Sequence, residues 1–416
     1  MNIIKDFVKK ELKYANGCTE PGAVAYAVAS AAEYSKGELN EIIVETDGFV
    51  YKNGMTTGIP GIKKYRGNKI AAALGYYSKN PQQLKLEVLA DNDQEKLTKA
   101  EKIIEKVKLK IVDRSTPYIK ATIMADQITE AVISGEHSNL ISIKVDGKTE
   151  FDLNQNNLKE KEDNLAENIK SLNFAEMIKM IEENYDSEIE SLLQAGLDAN
   201  LKLVEASKAG RANDIGFKYE SLISGEVGEI AAKIAHGIDA RMAGVSLPAL
   251  ASSGSGDQGI TISLAVNETA KLLNKEEKAL KATLLAHLIT YYIKLYMGKL
   301  SSLCGLISAA APGITAALLY LDGEEGKIEL AIKQMIGDSS GIICDGAKST
   351  CALKAVTAFE QAYKHYKLAK SGLELETPVG IVNHSLEATL ENLSELSVPR
   401  FQTINDTIVR VINDGL

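Results

Sequence analysis

The spacing of apolar and polar residues changes along the chain, and those changes divide it. "MNIIKDFVKKELKYANG" (1–17) has the periodicity of an amphipathic helix. "CTEPGAVAYAVASAAEYS" (18–35) reads as an alanine-rich helix opened by Pro21, a residue favoured in a first turn, and capped by Thr19. "NEIIVETDGFVYKNG" (40–54) predicts a hairpin-like pair of strands, and "MTTGIPGIKKYRGNKIAAALGYY" (55–77) a glycine loop entering a helix. Beyond Pro81, "LKLEVLA" alternates as a strand does, "NDQEKLTKAEKIIEK" is amphipathic at helical spacing, and "VKLKIVD" alternates again. "YIKATIMAD", "ITEAVISG" and "LISIKVDGKTEFDL" follow, rich in β-branched residues and punctuated by Gly and Asn. One helix among about five strands describes a small α+β domain over 82–155. The polar run "NQNNLKEKEDN" marks a linker, placed at 156–171.

From residue 172 to the end the pattern is almost wholly helical, with Ala- and Gly-rich helices apolar on most faces, as buried helices are. Gly/Ser-rich breaks interrupt them at "LPALASSGSGDQG", "AAAPG", "MIGDSSGIICDGAKSTC" and "TPVGIVNHS". Loops held on a rigid scaffold are where function concentrates. The expected fold class is therefore α+β: a mainly helical catalytic domain built from 1–80 and 172–416, carrying the α+β unit as an insertion.

Composition narrows the function. The chain has 416 residues, 25% charged and 45% hydrophobic, with a net charge of -9, which argues against a nucleic-acid protein and its usual basic face. The N-terminal stretch lacks the apolar core and cleavage site of a signal peptide. "SSLCGLISAAAPGITAALLYL" (301–321) is uncharged and long enough to span a bilayer, but its small residues, Pro312 and Gly313 favour buried core helices. A cytoplasmic protein is expected, with a small-molecule substrate, no nucleic acid and no membrane, and with a homo-oligomer left open.

There are four cysteines. In a reducing compartment they are not read as a disulfide framework. Cys344 and Cys351 lie seven apart; on one helix that is about 10.5 Å along the axis, too far for one small metal centre. A break at Gly341, Asp345 or Gly346 could bring them together, and Cys304 sits at another break, in "KLSSLCGLI". The residues leave two readings open: small buried hydrophobes, or three thiolate ligands of an iron–sulfur cluster with one iron free. Cys18 sits at a helix N-terminus, where the thiolate is favoured, so it is either a reactive thiol or an inert one. The loop "LASSGSGDQG" could bind a carboxylate through free N–H groups and Ser252, Ser253 and Ser255, or be a plain turn. Asp257 could hold an ammonium or cap the next helix. Among the five histidines only His384 stands out as a site candidate.

Taken together, "NGCTEPGAVA", "SGSGDQG", "LCG" and "ICDGAKSTCALKA" resemble the L-cysteine desulfidases, relatives of the α-chain of iron–sulfur L-serine dehydratases. The resemblance implies a 4Fe–4S cluster on Cys304, Cys344 and Cys351, and Cys18 as proton acceptor. It also implies conversion of L-cysteine to pyruvate, hydrogen sulfide and ammonia through aminoacrylate, without pyridoxal phosphate. Serine dehydratases space their last two cluster cysteines more widely, and some end in a cysteine; this chain ends "VRVINDGL", and both departures favour the desulfidase. The alternatives are an iron–sulfur L-serine dehydratase or related amino-acid lyase, a non-catalytic ligand-sensing protein, and a pyridoxal-dependent lyase. On the leading reading the three cluster sulfurs converge to within about 7 Å. The Ser/Gly loop and Cys18 should then line the same cavity, with Cys18 outside the cluster's ligand set.

Overall fold

A computed structural model describes residues 2–90, 92–114, 116–153, 164–397 and 402–415. It is an α+β protein dominated by helices, with two apolar cores.

The first helix, α1 (Ile3–Glu11), stops earlier than its charge pattern predicts. Leu12 turns extended, and β1 (Leu12–Asn16) pairs antiparallel with β10 (Pro248–Ser252), Leu12 opposite Ser252 and Asn16 opposite Pro248. This short ribbon ties the N-terminus to the helical part of the chain. It also sets Cys18 beside the Ser/Gly loop that follows β10.

Helix α2 (Thr19–Ala32) is buried on nearly every face. Its N-cap residue is Cys18, not Thr19, and no side chain caps the helix. Its small residues let α4 (Asn68–Tyr76) approach closely: a Cβ on Gly75 would lie 2.5 Å from the Ala25 carbonyl oxygen. Two local expectations fail for identifiable reasons. After β2 (Glu41–Thr46) the chain enters α3 (Gly48–Gly54), because Asp47 turns its carboxylate onto the Phe49 and Val50 N–H groups at 2.8 and 3.2 Å. An N-cap thus replaces the predicted hairpin turn. "LKLEVLA" forms short helical turns after Pro81, and its adjacent Val88 and Leu89 are both buried, which a strand with one solvent face could not achieve.

Among the described residues, strands β3 (Gly58–Ile59) and β4 (Ile62–Arg66) pair only with each other. The main sheet has the order β5-β2-β6-β7-β8-β9, with β5 (Val107–Ile111), β6 (Tyr118–Met124), β7 (Ile128–Ser134), β8 (Leu140–Val145) and β9 (Lys148–Asp152). β2 pairs parallel with β5 and antiparallel with β6; the remaining pairs are antiparallel. β2 comes from the stretch expected to belong to the helical domain. The second core runs from Ala23 to Ile143, so the boundary drawn near residue 81 passes through it, and the sheet unit begins near α2. The physical reason is that α2, α4 and β2 bury their apolar faces against the sheet. Most of the run "NQNNLKEKEDN" (154–163) lies outside the described residues. Residues 164–170 are helical, not linker, because Leu165 and Ile169, four apart, both insert into the helical core.

The remaining helices build the larger core. The uncharged 301–321 stretch is a helical segment, Leu306–Ala310 running into Ala311–Leu321, with every residue from Leu306 on buried inside the protein. Gly313 is needed there: a Cβ would lie 2.4 Å from the Ala286 carbonyl oxygen on the neighbouring helix Ala279–Met297. Among the described residues no helix is long and apolar enough to cross a membrane.

Candidate active site

A cavity of about 130 Å3 opens beside the start of α2, and Cys18, Cys304, Cys344 and Cys351 all line it. Their convergence has a local cause. Leu303 and Ile343 form an isolated antiparallel bridge, with Cys304 N–H bonded to the Ile342 carbonyl at 2.8 Å and Cys344 N–H to the Ser302 carbonyl at 2.7 Å. That bridge clasps two loops about forty residues apart in sequence. Cys351 opens the helix Cys351–Lys370, so the seven-residue interval is a loop and a helix start, not one helix. The turn between them passes through Gly346 at φ +98°, where a Cβ would sit 2.6 Å from the Lys52 carbonyl oxygen.

Burial and the neighbouring Cys344 push the Cys304 thiol up to about 11. Burial, with Asp257 next, raises Cys351 as well. Backbone N–H groups of Leu306 and Ile307 reach Cys304, and that of Lys348 reaches Cys351, each favouring the anion. Thiols so desolvated ionise readily only when a cation joins them. Among the described residues no three His, Cys, Asp or Glu side chains gather closely enough to share one metal ion. A cluster asks for something different, because each thiolate takes its own iron and the ligands stand around the cluster. Cys304, Cys344 and Cys351 line one cavity, with the Asp257 carboxylate close enough to act on Cys351, and their three thiols fit that donor set.

Cys18 is not the thiolate expected from its place at a helix N-terminus. Burial, and then the Glu20 carboxylate, push its thiol well up, outweighing Arg241. Its Sγ donates to Glu20 Oε2 at 2.8 Å. Burial alone would raise Glu20, but His137, the Cys18 thiol and Asn53 together hold its carboxyl below the ordinary value. Asn53 Nδ2 donates to Glu20 Oε1 at 3.0 Å, and His137 Nε2 lies 4.0 Å from the same oxygen. The pair is therefore a thiol hydrogen-bonded to a carboxylate.

The Ser/Gly loop divides. Gly254 to Gln258 line the cavity, and Ser255 caps the helix Gly256–Leu272 by accepting from Gln258 N–H at 3.4 Å. Ser252 and Ser253 do not line it. Ser252 Oγ is bonded to His287 Nδ1 at 2.9 Å in the helical core, and Ser253 sits at φ +47° with its hydroxyl buried away from any partner among the described residues. Ser252 ends β10 with its side chain turned to His287, and the left-handed turn at Ser253 follows the strand. Asp257 lies in the cavity, 3.1 Å from Arg241 Nε. Burial lifts its pKa to about 6, although Arg241 opposes the shift. The close fit of Arg241 explains Gly256, whose Cβ would lie 2.2 Å from the guanidinium carbon. His384 is exposed and outside the cavity.

Three residues here stand outside the leading sequence assignment. Glu20, which flanks Cys18 in "NGCTEPG", is legible in the sequence as the next candidate base should Cys18 be a bystander. His137, in the β7–β8 turn, carried no recognisable signal. Lys294 did carry one: it is the only charged residue late in the apolar helix "LLAHLITYYIKLYM". It is buried, it donates to the Ser253 carbonyl at 2.9 Å and Gln258 Oε1 at 3.4 Å, and burial lowers its pKa to about 8. A second chamber of about 400 Å3, lined by Lys10, Lys13, Glu136 and His137 among others, adjoins the first; Thr19, Gly254, Lys299 and Leu300 line both.

Residues 83–410 match the family described as the serine dehydratase alpha chain. Relatives extend over nearly the whole chain. A "UPF0597 protein" of Clostridium perfringens is 35% identical, covering 97% of this chain and 96% of its own. One of Clostridioides difficile is 36% identical, covering 98% and 99%, and one of Geobacter sulfurreducens 32%, covering 99% and 98%. Cys304, Cys344, Cys351 and Asp257 fall inside the family match, and Cys18 and Glu20 lie before it.

Proposed function

This chain belongs to the serine dehydratase alpha chain family, and from that premise we propose that it is a 4Fe–4S lyase that converts L-cysteine to pyruvate, hydrogen sulfide and ammonia. The observation that carries the reading is the meeting of all four cysteines on one cavity beside Asp257.

Cys304, Cys344 and Cys351 would hold the cluster. When bound, it supplies a Lewis-acidic iron that draws electrons from the leaving sulfur. The chain's own residues do the rest. Asp257 receives the substrate ammonium. Cys18 takes the Cα proton on its sulfur while its own proton passes to Glu20 Oε2, so the carboxylate is the final acceptor and the thiol is restored. The Cα–H electron pair forms the new C–C double bond, and the C–S bond breaks with the sulfur leaving as hydrosulfide. The aminoacrylate so formed takes up water to give pyruvate and ammonia. Asn53, bonded to Glu20, fixes the carboxylate toward Cys18.

The family description favours a second reading, L-serine dehydration, in which the same residues would expel hydroxide. The short Cys344–Cys351 interval is what supports cysteine. Anaerobically reconstituted protein should release sulfide and pyruvate from L-cysteine faster than pyruvate from L-serine. The reverse order would assign the dehydratase. A colourless protein inactive on both after reconstitution would leave only a ligand-binding role.

A further inference from the structure

Among the described residues three cations line the first cavity, and two of them already have a carboxylate partner. Arg241 is paired with Asp257 at 3.1 Å, and Lys299 lies between Glu11 at 3.2 Å and Glu136 at 3.4 Å. Lys294 is different. Its ammonium is held by a backbone carbonyl and a side-chain amide, both neutral, and among the described residues no carboxylate stands within ion-pair distance. It is 7% exposed and lines the cavity. An enclosed cation with only neutral partners is costly to keep charged unless an anion arrives to meet it.

We infer that Lys294 is the anchor for the α-carboxylate of the amino-acid substrate. The inference rests on the proposed reading that the cavity binds an α-amino acid, and it moves the carboxylate contact from the hydroxyls of Ser252 and Ser253 to a side chain on another helix. The loop that bonds Lys294 also carries Asp257, so one short segment presents a cation through Lys294 and an anion of its own. An α-amino acid carries those two charges on one carbon. Its carboxylate on Lys294 and its ammonium on Asp257 fix Cα, and the side chain is left to point at the cysteines. Gln258 and the Ser253 carbonyl are then positioning groups that hold the ammonium in place.

The test uses cluster-containing protein and L-alanine, which has both charges and no leaving group, beside ethylamine, which lacks the carboxylate. Calorimetry should show Lys294→Met binding L-alanine about tenfold to hundredfold more weakly than the parent, the loss of one charge-assisted contact. Ethylamine affinity and iron content should not change. Should that variant fold poorly, the parent gives a second measurement: L-alanine should protect Lys294 from amine-directed acylation read by mass spectrometry. Unchanged L-alanine affinity in the variant, or no protection in the parent, overturns the assignment. Loss of iron from Lys294→Met with L-alanine binding intact would also overturn it, making the lysine a counter-ion of the cluster. If L-cysteine is not turned over and yet L-alanine protects Lys294, the anchor stands and only the proposed reaction falls.

Discussion

Cys18 and Glu20, two residues apart at the start of one helix, share a proton across 2.8 Å between sulfur and carboxylate oxygen. A thiol paired in this way is a base only if the carboxylate takes its proton. Cys18→Ser should therefore keep its iron and colour while losing turnover. Glu20→Gln should lower kcat on the order of a hundredfold or more with a much smaller effect on KM, since general-base contributions are of that size. Steady-state kinetics beside iron analysis decide it. Loss of iron in Cys18→Ser would make that thiol a cluster ligand, and full activity would make it a bystander.

The bridge between Leu303 and Ile343 predicts that Cys304 and Cys344 act together. Serine at Cys304, Cys344 or Cys351 should reduce bound iron and labile sulfide and bleach the visible absorbance of anaerobically reconstituted protein. Retention of full iron in any one of the three would remove that residue from the ligand set.

Gly346 and Gly341 make a matched pair. A Cβ at Gly346 meets the Lys52 carbonyl oxygen at 2.6 Å and requires φ +98°, whereas one at Gly341 meets nothing within 4 Å and needs no positive φ. Gly346→Ala should cost about 1–3 kcal/mol in urea unfolding and lower iron occupancy. Gly341→Ala should stay within about 0.5 kcal/mol.

Burial lowers His287 to about 3 in the fold, against 6.5 for a free imidazole. Below pH 6.5 the unfolded chain protonates this residue and the folded one does not, so its contribution to stability declines as pH falls toward 3. His287→Asn, which can keep a bond to Ser252, lacks that loss. The stability gap between parent and variant should narrow by about 3 kcal/mol from pH 6.5 to pH 4, from the 1.36 kcal/mol per pKa unit. Urea titrations of both proteins across that range would show it, and a constant gap would mean that His287 stays solvated or changes its bond.

The strands β5 to β9 and the buried helices were legible in the chain because each is a local pattern: alternation on a half-buried sheet, and small apolar residues throughout a packed helix. The cysteines and the Gly/Ser breaks were legible as chemistry for the same reason, since residue type and spacing are written in sequence. Other features depended on contacts between distant segments. β2 alternates as a strand, but only the packing of α2 and α4 decided that it enters the sheet between β5 and β6. Ser252 and Ser255 look equivalent in "ASSGSGDQG", and the β1–β10 pairing turned one to the core and left the other at the cavity. A helix N-terminus at Cys18 suggested a thiolate, and burial, with a carboxylate from the same turn enclosed by Asn53 and His137, made it a thiol. Local periodicity therefore determined the elements and the inventory of reactive groups. Their protonation states and partners were decided by desolvation and Coulomb forces between residues that only the tertiary structure brings within a few ångströms.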